Sequence, residues 1–154
     1  MIKILMVCHG NICRSPMAEF VMKDMVKKRG LSDKIFVASA ATSREEIGNP
    51  VHHGTRNKLA KYGISTKGKY AIQMTGKDYR EYDYIVGMDG YNLRNMQRMT
   101  GGDPLHKLSL LLDYTDRPGS IADPWYTGNF DETYTDVVEG CEGLLDHICR
   151  TDLK

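Results

Sequence analysis

The sequence predicts an α/β chain, built on a parallel β-sheet with helices over both of its faces. Strand-like and helix-like segments alternate along the chain, the pattern of successive βαβ units. The first segment, Ile2 to Val7, is an apolar run broken only by Lys3, as expected for a strand buried on both faces. The last, beyond Asn129, repeats apolar residues at the 3, 4, 7 spacing of a single helical face.

The elements follow in order. Ser15-Pro16 opens the first helix with Pro16 at its first helical position, where the missing N–H costs nothing, and Met17, Phe20, Val21 and Met25 mark its apolar face until Gly30. Ile35 to Ala38 is the second strand, and Thr55 to Tyr62 a short helix stopped by Gly63. Tyr84-Ile85-Val86 is another strand, running into Asp89 as the cap of a helix through Leu93 and Met96. Leu111 to Gly128 is rich in Asp, Pro, Gly and Thr and lacks periodicity, which reads as a long ordered loop on the ligand side. In the closing helix Asn129 and Glu132 are spaced as a capping box, and Tyr134, Val137, Val138, Cys141, Leu144, Leu145 and Ile148 form the buried face, which assigns Cys141 to the core.

Residues 1–154 read as one domain, long enough to bury a core. Lysine and arginine number 21 against 20 acidic residues, a net charge of +1, so no global field draws the chain to nucleic acid or an anionic membrane. Any attraction for phosphate must be local. The N-terminal apolar run is too short for a signal peptide, and no other approaches the roughly 18 to 20 residues that span a bilayer, so the expected location is the cytoplasm. Cys8, Cys13, Cys141 and Cys149 read as thiols; gaps of four and seven residues lack the Cys-x-x-Cys pairs of a zinc ribbon, and neither a metal nor an organic cofactor is expected.

Between the first strand and first helix runs Cys8-His9-Gly10-Asn11-Ile12-Cys13-Arg14-Ser15. A short turn at this place lets backbone N–H groups converge on one point at a helix N-terminus, where the helix dipole favours an anion. Gly10 and Asn11 can take the positive φ angles that such a nest needs. Cys8 falls at its floor, where the same field stabilises a thiolate. Arg14 closes the ring with a planar fork for two phosphate oxygens. Ser15 has two possible tasks, capping the helix or donating its hydroxyl to the Cys8 sulfur, and the second is favoured because it stabilises sulfur as a leaving group. No Gly-Lys-Ser/Thr phosphate loop is present, which disfavours nucleotide triphosphates.

Cys-x5-Arg-Ser straight after the first strand, together with Asp123-Pro124-Trp125-Tyr126 near the C-terminus, resembles the low-molecular-weight protein tyrosine phosphatases. The resemblance extends over Val37-Ala38-Ser39-Ala40-Ala41, Tyr84 to Asp89 and the closing helix. It implies a four-stranded parallel sheet flanked by helices, with Cys8 as nucleophile, Arg14 on the phosphate and Asp123 as general acid. His9, Gly10, Asn11, Ile12, Cys13, Arg14 and Ser15 would surround the phosphate, and Trp125 and Tyr126 would offer flat surfaces for a phenyl ring. Asp103-Pro104 lacks such aromatics and reads as a turn. The family braces an Asn of the loop with a Ser of the second strand and a His; Asn11 and Ser39 match, but Gly68 stands at the place of the His.

The expected partners are phosphotyrosine-containing proteins, with free phosphate or another oxyanion in the loop, and the chain is expected to be a monomer that binds neither nucleic acid nor membrane. His9 is expected to line the pocket mouth rather than act as a base. Cys13 either packs at the helix start or traps an oxidised Cys8 as a disulfide. Glu45-Glu46 is either a solvated turn or a selector of substrates at the rim. Rival readings are a thiol-coupled arsenate reductase using Cys141 and Cys149, a cysteine phosphocarrier, and a non-catalytic phosphotyrosine-binding module. The buried face of the last helix argues against the first, and Arg14 with Asp123 against the others.

Overall fold

The computed structural model describes residues 1–153. Strands β1 (Ile2–Cys8), β2 (Ile35–Ala41), β3 (Tyr84–Gly87) and β4 (Leu108–Leu110) form one sheet in the order β2-β1-β3-β4, and all three pairings are parallel. Helices α1 (Arg14–Lys28), α2 (His53–Ala60), α3 (Asp78–Glu81), α4 (Gly90–Thr100), α5 (Pro124–Thr127) and α6 (Phe130–Thr151) connect and cover it. The four-stranded parallel architecture is the expected one.

The period-2 alternation of β1 divides the core. Ile4, Met6 and Cys8 point to one face, where they meet Met17, Val21 and Met22 of α1 and Val137, Cys141, Leu144 and Leu145 of α6. Leu5 and Val7 point to the other, against Met74, Tyr79 and Met96. Since both faces are buried, β1 has to be apolar throughout. From β1 the chain passes through α1 to β2 on one side and later returns to β3 on the other. The order of the strands therefore reverses beside β1, and open α/β sheets bind ligands at the carboxyl ends of the strands at such a point. Cys8, opposite Ala41 in the register, sits there.

Several boundaries differ from the sequence reading. Helix α1 starts at Arg14, so Pro16 is its third residue, still among the first four whose N–H has no intrahelical partner. Strand β2 runs to Ala41, past Ala38, because the whole of β1 pairs with it. Helix α2 is His53–Ala60, two residues earlier at each end than expected, since the His52 side chain accepts from Gly54 N and caps it. The expected loop from Leu111 contains a 3-10 turn, Leu111–Tyr114, and α5. Strand β4 and α3, at three and four residues, are too short to leave a periodic signal. Asp103 is the turn residue expected, accepting from Lys107 N at 2.8 Å, Leu108 N at 3.2 Å and the Tyr79 hydroxyl at 2.7 Å, which fixes the entry to β4.

Candidate active site

The β1–α1 loop is held from outside by its carbonyls. Cys8 O accepts from Thr42 N at 2.9 Å, His9 O from Ser43 N at 3.0 Å and Ile12 O from His52 N at 2.8 Å. Cys13 O accepts from Met17 N at 3.2 Å and the Thr55 hydroxyl at 3.1 Å. With the carbonyls turned outward, the amide edge of the loop is left to face the pocket, as an anion nest requires.

Of the two residues expected at positive φ, only Asn11 takes it, at 58°. Gly10 does not enter the left-handed region; what it supplies is room, because a Cβ there would lie 3.3 Å from Glu46 Cγ. The unusual backbone of Asn11 is held by its buried side chain. Its Nδ2 donates to Ser15 Oγ at 2.8 Å and Ser39 Oγ at 2.9 Å, and its Oδ1 accepts from Ile72 N at 3.2 Å. Ser15 Oγ lies 3.0 Å from Cys8 Sγ, and no side chain caps α1, so Ser15 serves the sulfur rather than the helix end. Asn11 N also donates to Cys8 Sγ at 3.3 Å. Gly68 offers the loop no side chain; the further contact on Asn11 is the Ile72 amide, and the residue after Gly68 reaches the serine instead, Lys69 Nζ donating to Ser39 O at 2.8 Å and lying 3.5 Å from Glu19 Oε1.

Arg14 is 3% exposed. Its Nη1 donates to Asp89 Oδ2 at 2.7 Å and to Ile121 O at 2.9 Å, and its Nη2 lies 3.4 Å from Asp123 Oδ2. These bonds leave the Nε/Nη2 edge of the fork for a bidentate anion. Asp123 caps α5 through Oδ1, which accepts from Trp125 N at 3.0 Å, with Pro124 at the first helical position. This fixes the carboxyl beside Arg14 while Trp125 and Tyr126 stay exposed.

A pocket of about 130 Å³ joins these parts. Cys8, His9, Gly10, Ile12, Cys13 and Arg14 of the loop line it, together with Asp123, Trp125 and Tyr126 and with Glu45 and Glu46. Asn11 and Ser15, expected around the phosphate, brace the loop from behind. His9 lies at the mouth, its Nε2 2.9 Å from Glu45 Oε2. Burial, reinforced by the neighbouring Cys8, pushes the Cys13 thiol up to about 12. A wider cleft of about 560 Å³ between α2 and residues 63–70 carries no thiol, imidazole or carboxylate.

The model of the low molecular weight phosphotyrosine protein phosphatase family matches residues 3–153. The chain belongs to the low-molecular-weight protein tyrosine phosphatase family. A relative of that name from Bacillus subtilis, YfkJ, is 43% identical over 150 residues, 96% of either chain. The crystal structure of YfkJ superposes with a TM-score of 0.96 at 42% identity, covering 99% of this chain and 97% of that one. SP-PTP of Streptococcus pyogenes gives 0.85 at 43% identity, over 98% and 93%. A Drosophila arginine phosphatase gives 0.88 at 30% identity, over 98% and 100%.

Within this family frame, three residues of the site escaped the sequence reading. Asp89 was legible only as a helix cap, which it is, accepting from Asn92 N at 2.8 Å; its second oxygen holds Arg14. Glu19 and Lys69 carried no motif, and only a fold that buries Glu19 and draws the largely covered Lys69 in beside it distinguishes them from surface charges.

Proposed function

We propose that this chain hydrolyses phosphotyrosine in proteins, and small aryl phosphates, through a phosphocysteine on Cys8, with residues 1–154 acting as one catalytic domain. The observation that carries the reading is the convergence of the Cys8 sulfur, the Arg14 fork and the Asp123 carboxyl on one small pocket. The Cys8 thiolate attacks phosphorus in line; the bond to the tyrosyl oxygen breaks, and Asp123 in its acid form gives that oxygen its proton. Water then attacks the phosphocysteine and loses a proton to the Asp123 carboxylate. The S–P bond breaks, returning the thiolate and releasing phosphate. Arg14 and the loop amides hold the equatorial oxygens in both steps, and the Ser15 hydroxyl stabilises the sulfur each time it carries charge.

Every bond made or broken is served by a side chain of the pocket, so the reading calls for no cofactor. It does call for reduced Cys8 and hence a reducing compartment, for which the cytoplasm is the natural assignment; no described helix is long and apolar enough to cross a membrane. The reading takes the chain as a monomer, since one copy carries the whole pocket. An arsenate reductase relay through Cys141 is disfavoured by the complete burial of that thiol, and a phosphocarrier or binding module gives the Asp123 carboxyl no proton to transfer.

The test is turnover of an aryl phosphate in the presence of EDTA, with rapid quenching to locate the phosphoryl group. Phosphate trapped on Cys8, and loss of turnover in a folded Cys8→Ser variant, are expected; phosphate on another residue refutes the mechanism. Parallel assays with phosphotyrosyl and phosphoarginyl peptides separate this reading from the activity named for the Drosophila relative, and preference for phosphoarginine refutes it.

A further inference from the structure

We infer that Lys69 is a positioning residue for the nucleophile, acting through the buried carboxylate of Glu19 to fix the hydrogen-bond polarity that ends on the Cys8 sulfur. The inference rests on the reading of Cys8 given above.

The chain of contacts is continuous and directional. Glu19 is 4% exposed, and its carboxylate can only accept. It accepts from Ser39 Oγ at 2.5 Å, so the Ser39 hydrogen points at Glu19 and the Ser39 oxygen is free to accept from Asn11 Nδ2 at 2.9 Å. The other hydrogen of Asn11 Nδ2 goes to Ser15 Oγ at 2.8 Å. Ser15 oxygen is thus an acceptor on that side, and its own hydrogen is turned to Cys8 Sγ, 3.0 Å away. The Ser39 link cannot be reversed because a carboxylate only accepts, and Asn11 is held in the same sense by Ile72 N, which donates to its Oδ1 at 3.2 Å. A Cys8 thiolate can only accept from Ser15, so Glu19 anchors the far end of the chain.

What holds that end is charge. A carboxylate buried in this way is costly unless paired. Lys23 approaches it at 2.5 Å, but its side chain is 46% exposed, whereas that of Lys69 is 12% exposed. Lys69 Nζ also donates to Ser39 O, clamping the backbone of the serine whose hydroxyl Glu19 orients. Burial pulls the Lys69 ammonium below its ordinary value, and the Glu19 carboxylate opposes that shift. The Lys69 cation, at the far end of that chain, also interacts favourably with charge on the Cys8 sulfur.

The experiment uses Lys69→Met, which keeps the aliphatic stem and removes the charge, with Lys69→Arg as the charge-keeping comparison. The first readout needs no substrate: the pH profile of Cys8 alkylation by iodoacetamide, followed by peptide mass spectrometry. In Lys69→Met the midpoint should move up by about half a unit to one unit, and in Lys69→Arg most of that shift should vanish. The second is steady-state hydrolysis of an aryl phosphate, where kcat should fall about tenfold with KM within about twofold, because the sulfur is stabilised mainly when it carries charge. A merely structural lysine would lower thermal stability and leave the alkylation midpoint in place.

If Lys69→Met does not fold, Glu19→Gln/Lys69→Met strands no charge and takes both readouts, with a smaller upward shift expected, because the opposing field of Glu19 is lost together with that of Lys69. A folded variant with an unchanged alkylation profile and native kcat overturns the inference. The two readings fail separately. A shifted alkylation profile in a protein without phosphatase activity would sink the proposed reaction and leave the role of Lys69 standing. An unshifted profile in an active enzyme would do the reverse.

Discussion

Asp89 performs two tasks with its two oxygens, and substitution can separate them. Oδ1 accepts from Asn92 N at 2.8 Å and caps α4; Oδ2 accepts from Arg14 Nη1 at 2.7 Å. In Asp89→Asn one oxygen becomes an NH2 group. With the remaining oxygen on the cap, the amide hydrogens face the guanidinium, and a charge-assisted bond worth about 1.5 to 3 kcal/mol is lost. Expressed fully in the transition state, that is about 10- to 150-fold in kcat/KM. The lower end applies, because Arg14 keeps Ile121 O and the neighbouring Asp123. Asp89→Ala loses the cap as well, for about a further 1 kcal/mol of stability. At this chain length that amount moves the midpoint of thermal unfolding by roughly 2–4 °C. The assays are hydrolysis of an aryl phosphate and thermal unfolding of both variants beside the native protein. Native kcat/KM and native stability together in Asp89→Asn would refute the reasoning, since a neutral amide cannot serve both partners.

Asp123→Asn should lower kcat by roughly 10²- to 10⁴-fold, with the largest losses for phenols that leave poorly; a uniform loss across a leaving-group series would remove Asp123 as the acid. Glu45→Gln/Glu46→Gln should reduce any preference for phosphopeptides with basic flanks, by up to about tenfold at low salt and less at high salt, since each exposed charge is worth about 0 to 1 kcal/mol. An unchanged preference would make the pair a solvated turn despite its place on the pocket wall. Cys13, held protonated at neutral pH by its burial, should resist iodoacetamide under conditions that label Cys8, and mild peroxide should yield a Cys8–Cys13 disulfide that thiol reverses. Sulfinic acid on Cys8 as the first product would leave Cys13 a packing residue. Gly54→Ala would set a Cβ 2.3 Å from the ring of Phe130, so denaturant unfolding should register a loss of about 1–3 kcal/mol, recovered in part by Phe130→Leu.

The division between what sequence carries and what tertiary structure adds follows the range of the interactions. The alternating elements, the apolar run of β1 and the periodic face of α6 are local patterns, and each lies where its periodicity puts it. The residues from Cys8 to Ser15 are likewise contiguous, so a strand, a turn and a helix start suffice to gather the loop that carries Cys8 and Arg14. Asp123, far along the chain, was legible because Pro124, Trp125 and Tyr126 follow it directly. Boundaries were less legible where a partner set them: β2 reaches Ala41 because β1 pairs with it to Cys8, and β4 exists because β3 offers it an edge. Gly10 looked like a residue chosen for backbone freedom, whereas the fold brings Glu46 against it and makes space the reason. The second task of Asp89 and the pairing of Glu19 with Lys69 had no sequence signal at all. Each is a charge whose meaning depends on burial next to a group distant in the chain, and burial and pairing are properties of the folded core alone.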